Sequence, residues 1–346
     1  MSKADAKTTI IVSPRERFGE ATAALQSIIE QTAAPYRLVY VDAGAPEHVS
    51  REIGALCAAH GFTHLRHRDM LSPNQARNRG LAEAATPNVV FIDNDVFVAA
   101  GWLAALERCA AETGAEVVVP LTCQKRPLHT EIHQAGGSFT TDLARFMARP
   151  SADLMVEREH HLQGRKVSEV TLERGETQCC EFHCVLVRRA VLTAQGGLDE
   201  GLLATREHID FSMAVLRDGG RLMFEPASVV TYVIPGRDSP ITREDRAFFC
   251  LRWSPEWQKR SLRRFAKKWD FEGAPYARRA GKLLTWRLHM GVARPMARRL
   301  PLVSRAPLLE RAAAGAATRA LALWSLALAW RHARRTPPRP AAAPAE

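Results

Sequence analysis

Two carboxylates one residue apart, Asp93 and Asp95, close the apolar run Val89-Val90-Phe91-Ile92. Side chains alternate faces along an extended segment, so residues i and i+2 point the same way and can share one metal ion or its water shell. A hard divalent cation held by so few protein oxygens completes its coordination with phosphate. The same letters also suit a strand that ends in a polar turn, because Asp and Asn are common turn residues.

A pair of this kind needs a sheet edge to hold it. Thr8-Thr9-Ile10-Ile11-Val12-Ser13 predicts an opening strand, followed by a polar turn and a helix from about Gly19 to Gln31. Leu25, Ile28 and Ile29 give that helix an apolar face at spacings of three and four. Arg37 to Val41 is short, β-branched and ended by Asp42-Ala43-Gly44, which predicts a second strand. The result is a βαβ unit with Asp42 at a strand's carboxyl end, the edge where open α/β sheets bind ligands. Residues 13–20 read Ser-Pro-Arg-Glu-Arg-Phe-Gly-Glu, without the glycines that let backbone approach a pyrophosphate, and no Walker-type loop occurs anywhere. Dinucleotide-dependent oxidoreductases and sugar nucleotidyltransferases are disfavoured accordingly.

Over residues 8 to about 235 the chain resembles the family 2 glycosyltransferases, which have the GT-A fold. The resemblance is carried by ordered blocks: Ser27 to Pro35 leading into Leu38-Val39-Tyr40-Val41-Asp42-Ala43-Gly44, then Asn74-Gln75-Ala76-Arg77-Asn78-Arg79-Gly80-Leu81, then Val90-Phe91-Ile92-Asp93-Asn94-Asp95 and Gly101-Trp102-Leu103. Gly196-Gly197-Leu198-Asp199-Glu200 and Arg206-Glu207-His208-Ile209-Asp210-Phe211 follow. The order and spacing of the blocks are more specific than any one of them.

The resemblance implies a role for each position. Asp42 would accept a hydrogen bond from the nucleoside base of an activated sugar. The second acid common beside it is Ala43 here, so base recognition is expected to be weaker, shifted or different. Arg77 would be the donor-side cation, since guanidinium offers planar paired donors to a diphosphate and keeps its charge. Asp93 and Asp95 would hold Mg²⁺ or Mn²⁺ against the diphosphate of the nucleotide-sugar donor, where the metal neutralises the charge of the leaving group. Inversion at the anomeric carbon needs a base for the acceptor hydroxyl. Many relatives read Glu-Asp-x-Asp at Glu207 to Asp210, with the second residue as base, whereas this chain has His208 there. Glu207 or Asp210 then serves, or the imidazole of His208, with Glu207 favoured. The same residues also suit the charged face of a helix whose other face carries Phe211, Ala214, Val215 and Leu216. Metal-dependent relatives often carry a His in the next strand. Here that strand reads Val229-Val230-Thr231-Tyr232-Val233, which predicts weak metal affinity without donor and leaves His183 as a substitute ligand.

Charge bounds the rest. The 346 residues carry a net +11, yet fourteen Lys and Arg face only two acids from Gly273 onward, leaving 34 basic and 35 acidic residues before it. The excess lies wholly in the C-terminal tail. Tyr276 to Leu300 reads as a basic amphipathic stretch, Ala312 to Trp330 as mostly apolar and more suited to an interface than to a span, and Arg331, Arg334 and Arg335 as a cluster attracted to anionic lipid. Two helices packed on the catalytic domain with a solvated arginine face fit equally well. Nucleic acid is an unfavoured partner, because the aromatic interleaving of a single-strand platform is thin.

Phe248 to Trp253 with Trp257 suits a segment closing over a glycan or glycolipid acceptor, or, better, a helix docking aromatics into the core. The segment from Thr122 to Arg174 holds His129, His133, His160 and His161 at no recognisable ligand spacing and is assigned to the acceptor side. Seven cysteines without regular spacing indicate reduced thiols. The crowding of Cys179, Cys180, His183 and Cys184 lacks the paired spacing of a zinc knuckle and fits a buried strand.

The expected architecture is α/β, a GT-A (Rossmann-like) domain with a basic α-helical C-terminal extension. Its expected parts are a flexible N-terminus (1–7), the GT-A domain (8–240), an acceptor-side closing segment (241–272), the basic extension (273–336) and a disordered tail (337–346). Met1 to Lys7 lacks an apolar signal region, so a cytoplasmic enzyme, peripheral at the inner membrane face, is expected. The expected activity is inverting, metal-assisted sugar transfer to an acceptor hydroxyl in polysaccharide, glycolipid or cell-envelope glycan synthesis. The alternative is a catalytically silent scaffold that binds membrane or a partner through the tail.

Overall fold

Strand-forming runs and amphipathic helices alternate through the first hundred residues, and in the computed structural model they fold as parallel βαβ units. Residues 5–140, 158–234, 240–270, 284–304 and 306–337 are described. The first elements are β1 (Thr8–Ser13), α1 (Phe18–Gln31), β2 (Tyr36–Ala43), α2 (Glu47–His60), β3 (Thr63–His67), α3 (Pro73–Leu81) and β4 (Asn88–Asp93). β1 runs parallel to β2 on one side and to β4 on the other, and β3 pairs parallel with β2. Beyond them come β5 (Val96–Val98), α4 (Trp102–Thr113), β6 (Val117–Gln124), β7 (Glu131–Gln134), β8 (Gly137–Phe139), β9 (Arg158–His160), β10 (Gly175–Thr177), β11 (Cys184–Arg188), α5 (Arg189–Ala194), α6 (Glu207–Arg217) and β12 (Leu222–Tyr232). The main sheet has the order β10-β12-β6-β11-β4-β1-β2-β3, with β5 on β12 and β7 on β6, while β8 and β9 form a separate pair. β11 enters antiparallel to β4, which sets Cys184 opposite Ile92 and brings the segment before β11 to the end of β4.

Alternation divides the core. Ile10, Val12, Val90 and Ile92 join Leu25, Ile28 and Trp102 on one face of the sheet, while Ile11, Val89 and Phe91 join Val185 and Phe211 on the other. All are buried, and removing such a side chain from water contributes about 1.5–3 kcal/mol each. These central strands carry apolar residues at consecutive positions because helices cover both faces.

Two local features seat α3. Ser72 and Gln75 form a capping box, Ser72 N donating to Gln75 Oε1 at 2.9 Å and Ser72 Oγ accepting from Gln75 N at 3.4 Å, with Pro73 in the first turn. At the other end, a Cβ on Gly80 would lie 2.3 Å from Ile11 Cγ2, so only a hydrogen fits where α3 crosses β1.

The closing segment forms α7 (Arg246–Arg252) and α8 (Pro255–Lys268). Phe248, Phe249, Trp253 and Trp257 are all buried, so these rings dock into the core and none stands open to an acceptor. Cys184 lies on β11, whereas Cys179 and Cys180 precede the strand; all seven cysteines are buried and unbridged.

The C-terminal extension is not the basic helix that its net charge predicts. Its principal element is α9 (Pro307–Arg335), 29 residues long and apolar enough, by length and composition, to cross a membrane. Only 22% of its most apolar stretch is buried, so α9 is not an ordinary core helix. The arginine count misled because most of the tail's charges lie before α9 or in its last turn, leaving Ala320 to Trp330 uncharged. The helix buries Ala314, Thr318, Ser325, Ala329 and His332, and exposes Leu308, Leu309, Leu323, Trp324, Leu326 and Trp330. Of the expected basic amphipathic stretch, 276–283 lies outside the described residues, as do 1–4 and 338–346 of the expected flexible ends.

Candidate active site

The strand register alone brings two of the candidate acids to one edge. Val12 of β1 pairs with Tyr40 and with Ile92, so Asp42 and Asp93 extend just past it on either flank, about 10 Å apart at two strand spacings. Asp95 follows in the turn between β4 and β5.

Asp93 is fully engaged. Its Oδ1 accepts from Arg77 Nη2 at 3.2 Å, and its Oδ2 accepts from Arg15 Nη1 at 2.7 Å and lies 3.1 Å from His183 Nδ1. Burial would raise its pKa, but the His183 contact and the charges of Arg15 and Arg77 override that and hold it far below the usual carboxylate range. Asp95 is the opposite case. It is 0% exposed, and neither of its oxygens has a hydrogen-bond partner among the described residues. Burial first, then the nearby Asp93 charge, push its pKa up against the pull of Arg15.

Arg77 is inserted from α3, 1% exposed, with its guanidinium 4.2 Å above the Phe182 ring and Nη1 donating to Asn74 Oδ1 at 3.3 Å. Asp42, at the end of β2, accepts on Oδ2 from Ser50 Oγ, and from His64 Nε2 and Arg66 Nη1 at 3.3 Å each. Burial alone would raise its pKa; the His64 and Ser50 hydrogen bonds and the Arg66 charge hold it below the ordinary value.

The three candidate bases have different surroundings. Glu207 opens α6, immediately after Arg206, whose φ of 72° is a left-handed conformation rare for a residue with a side chain. Its Oε1 is 3.7 Å from Arg252 Nη2 and its Oε2 is buried without a hydrogen-bond partner. Asp210, one turn on, is tied at both oxygens: Lys268 Nζ donates to Oδ2 at 2.7 Å and Trp269 Nε1 to Oδ1 at 2.8 Å. Burial raises its pKa despite the lysine. His208 is pushed well below the ordinary imidazole value by burial, and the charges nearest it are Arg158, Glu181 and Arg206. Glu207 and Asp210 both line one cleft, Asp210 with both oxygens tied, while Glu207 Oε2 and His208 Nε2 are each buried without a hydrogen-bond partner among the described residues. That cleft, lined also by Asn74, Asn78, Asp199 and Lys268, does not touch Asp42, Asp93 or Asp95.

Sequence reasoning missed the residues that link Asp93 and Arg77 to Glu207. Arg15, in the turn after β1, donates to Asp93 and stacks over the Tyr232 ring at 4.6 Å. Glu16 accepts from Trp253 Nε1 at 2.9 Å and lies 3.5 Å from Arg252 Nη1. An alternating series of charges, Glu207, Arg252, Glu16, Arg15, Asp93 and Arg77, thus crosses the site. Only the run Arg-Glu-Arg at residues 15–17 hinted at it; that Ser13 of β1 pairs with Asp93 is seen in the structure alone. Tyr232 stands on the strand in which a metal-binding His was sought, and His183 stacks on it at 3.9 Å between ring centres.

The residues present fit a metal, on the evidence of the orphaned Asp95 carboxylate: both its oxygens are available, and buried charge of this kind is ordinarily paired or metal-bound. The profile of the family described as "Glycosyl transferase family 2" matches residues 9–194, more than half of the chain.

The chain belongs to glycosyl transferase family 2. Two curated relatives, the "Pre-mycofactocin glycosyltransferase" of Mycobacterium tuberculosis strains CDC 1551 / Oshkosh and ATCC 25618 / H37Rv, are each 25% identical over 198 residues. That alignment takes in 57% of this chain and 37% of theirs, so the chain spans well under half the length of the curated relatives it matches. Among solved structures, GalNAc-T7 with UDP, GalNAc and Mn²⁺ superposes with a TM-score of 0.53 at 17% identity, over 86% of this chain and 58% of the other. That likeness is one of fold, and the core of this family 2 chain is accordingly a GT-A domain.

Proposed function

We propose that this protein is an inverting glycosyltransferase that moves a sugar from a nucleoside-diphosphate sugar to an acceptor hydroxyl. The observation that carries the reading is Asp95, a buried carboxylate with both oxygens unclaimed, beside Arg15 and Asp93 just past the carboxyl end of β4. In this reading Asp95 holds Mg²⁺ or Mn²⁺, with Asp93 shaping the site from its pairs with Arg15, Arg77 and His183. The metal, when bound, supplies charge neutralisation for the departing nucleoside diphosphate. Arg77 contributes a permanent cation on the donor side. Asp42, whose three partners converge on Oδ2, has Oδ1 to accept from a base N–H. Glu207, with Oε2 unclaimed, takes the proton of the acceptor hydroxyl as the new glycosidic bond forms. A UDP donor is admissible by analogy with the UDP and Mn²⁺ in GalNAc-T7. A glycan or glycolipid acceptor accords with the apolar surface of α9.

The same α9 surface supports a peripheral position at a membrane. Hydrogen bonds tie its inner face to the domain, His332 Nε2 to Gln75 Oε1 at 3.1 Å and Gln75 Nε2 to Thr336 O at 2.9 Å, which suits a helix lying in the interface. The GT-A domain is taken as 8–240, with 241–272 as a closing segment and 273–336 as the extension.

Calorimetric titration with a panel of nucleoside diphosphates, each with and without Mn²⁺, tests the donor site. Mn²⁺-dependent binding that discriminates among bases and is lost in Asp95→Ala is expected. No binding to any nucleotide would overturn the reading in favour of a silent scaffold.

A further inference from the structure

Beside the donor site stands a second group of ligand-type side chains, assembled from three separate segments. We propose that His133, His160 and Glu181 form a binding site for a transition metal of the zinc class, distinct from the Asp95 site. His133 comes from β7, His160 from β9 and Glu181 from the segment preceding β11. One ligand atom from each lies within 4.8 Å of the others. Tetrahedral coordination at about 2.1 Å needs them about 3.4 Å apart, a contraction within reach of side-chain rotation.

Three features mark these atoms as a ligand set. His133 Nδ1 lies 3.2 Å from Gln124 Oε1, and the Gln124 amide is oriented by Nε2 donating to Glu131 Oε1 at 2.6 Å. With Nδ1 engaged by Gln124 Oε1, and by Gln163 Nε2 at 3.4 Å, Nε2 is left as the open ligand atom, buried without a hydrogen-bond partner. Such an outer hydrogen bond is how metal-binding imidazoles are held in the right tautomer. Next, the chain already sets a cation against the other two ligands: the Arg158 guanidinium pairs with Glu181 Oε1 and donates from Nε to His160 Nε2 at 2.8 Å. With its side chain 24% exposed, Arg158 can turn outward when a metal takes its place. Finally, Glu181 Oε2 lies 3.0 Å from His183 Nε2, and His183 Nδ1 lies 3.1 Å from Asp93 Oδ2. A metal on Glu181 would thus be one imidazole away from the acid that pairs Arg15 and Arg77, a direct route for it to position the donor site.

Two imidazole nitrogens and one carboxylate oxygen favour Zn²⁺, Co²⁺ or Ni²⁺ over Mg²⁺, so the two sites sort their metals by ligand type. None of this depends on the donor-site reading.

The test is titration of the full chain, freed of metal by a chelator, with Co²⁺ followed by visible absorption and then by displacement with Zn²⁺. Expected are the absorption bands of a low-coordinate Co²⁺ site with nitrogen ligands, one Co²⁺ per chain, and their loss on adding Zn²⁺. Asp95→Ala should keep the spectrum. His133→Gln and His160→Gln should each weaken binding by more than the roughly 10–100-fold that loss of a supporting outer group costs, with folding followed by circular dichroism. Arg158→Ala should tighten it, a readout that stands even if a histidine variant does not fold. Absence of the bands in the wild-type chain, their persistence in both folded histidine variants, or their loss in Asp95→Ala alone would overturn the proposal.

Discussion

At the scale of single residues, the site is organised by which carboxylates are answered by a cation and which are not. Asp95 is buried beside Asp93, and its pKa rises from the ordinary value to about 6. A carboxyl that holds its proton more tightly folded than unfolded opposes folding once ionised. That penalty is absent below the unfolded pKa, grows as pH rises and is complete above the folded pKa. Asp95→Asn is therefore expected to melt higher than wild type at pH 8 without metal, with the advantage shrinking toward pH 4. A pH-independent difference in scanning calorimetry would mean that the carboxylate is not strained. For Glu207→Gln we expect donor binding to persist while transfer falls by about 10²–10⁴-fold, the usual worth of a general base. Asp210→Asn should instead lower the melting temperature, because both Asp210 oxygens anchor Lys268 and Trp269. If transfer by the folded fraction fell only in Asp210→Asn, the base would be Asp210. The acids Asp42, Asp93, Asp95 and Glu207 were legible because each stands at a strand or helix end within a local pattern. Arg15, Glu16 and Arg252 were not, because their partners lie up to 237 residues away, as for Glu16 and Trp253.

At the scale of elements, α3 is the part that sets the position of Arg77. Its start is fixed by the Ser72–Gln75 capping box and its end by the contact of Gly80 with Ile11. Gly80→Ala puts a methyl group where an added Cβ would lie 2.3 Å from Ile11 Cγ2, so it should destabilise the fold by about 1–3 kcal/mol through overpacking. The same shift should displace Arg77 and weaken nucleotide binding; unchanged chemical denaturation and unchanged binding would contradict this placement of α3. The opening strand, the first helix and the second strand followed from periodicity to within a residue or two, since strand and helix repeats are local. The convergence of β7, β9 and the segment before β11 had no such signature, which is why His133, His160 and Glu181 read as unrelated letters.

At the scale of the whole molecule, the chain pairs a GT-A domain with a long apolar helix that lies against α7 and α8. Leu323 and Trp324 are 71% and 42% exposed, so Leu323→Ser combined with Trp324→Ser should leave the fold intact. Burying such side chains in an apolar phase contributes about 1.5–3 kcal/mol each, so partitioning onto phospholipid vesicles should fall by about tenfold or more. Cosedimentation that is unaltered by the pair of substitutions would remove the membrane proposal. The opening βαβ unit, the strand ends that carry Asp42 and Asp93, and the family itself were written in the linear chain, because hydrophobic periodicity and strand-end motifs need only neighbouring residues to be read. Tertiary structure alone decided which of the candidate acids is neutralised and which is left bare, which candidate base keeps an unclaimed oxygen, and that the arginine-rich tail presents an apolar helix. Those outcomes depend on burial and on charges arriving from distant segments, and a charge count along the chain cannot distinguish an arginine at a helix end from one on its face.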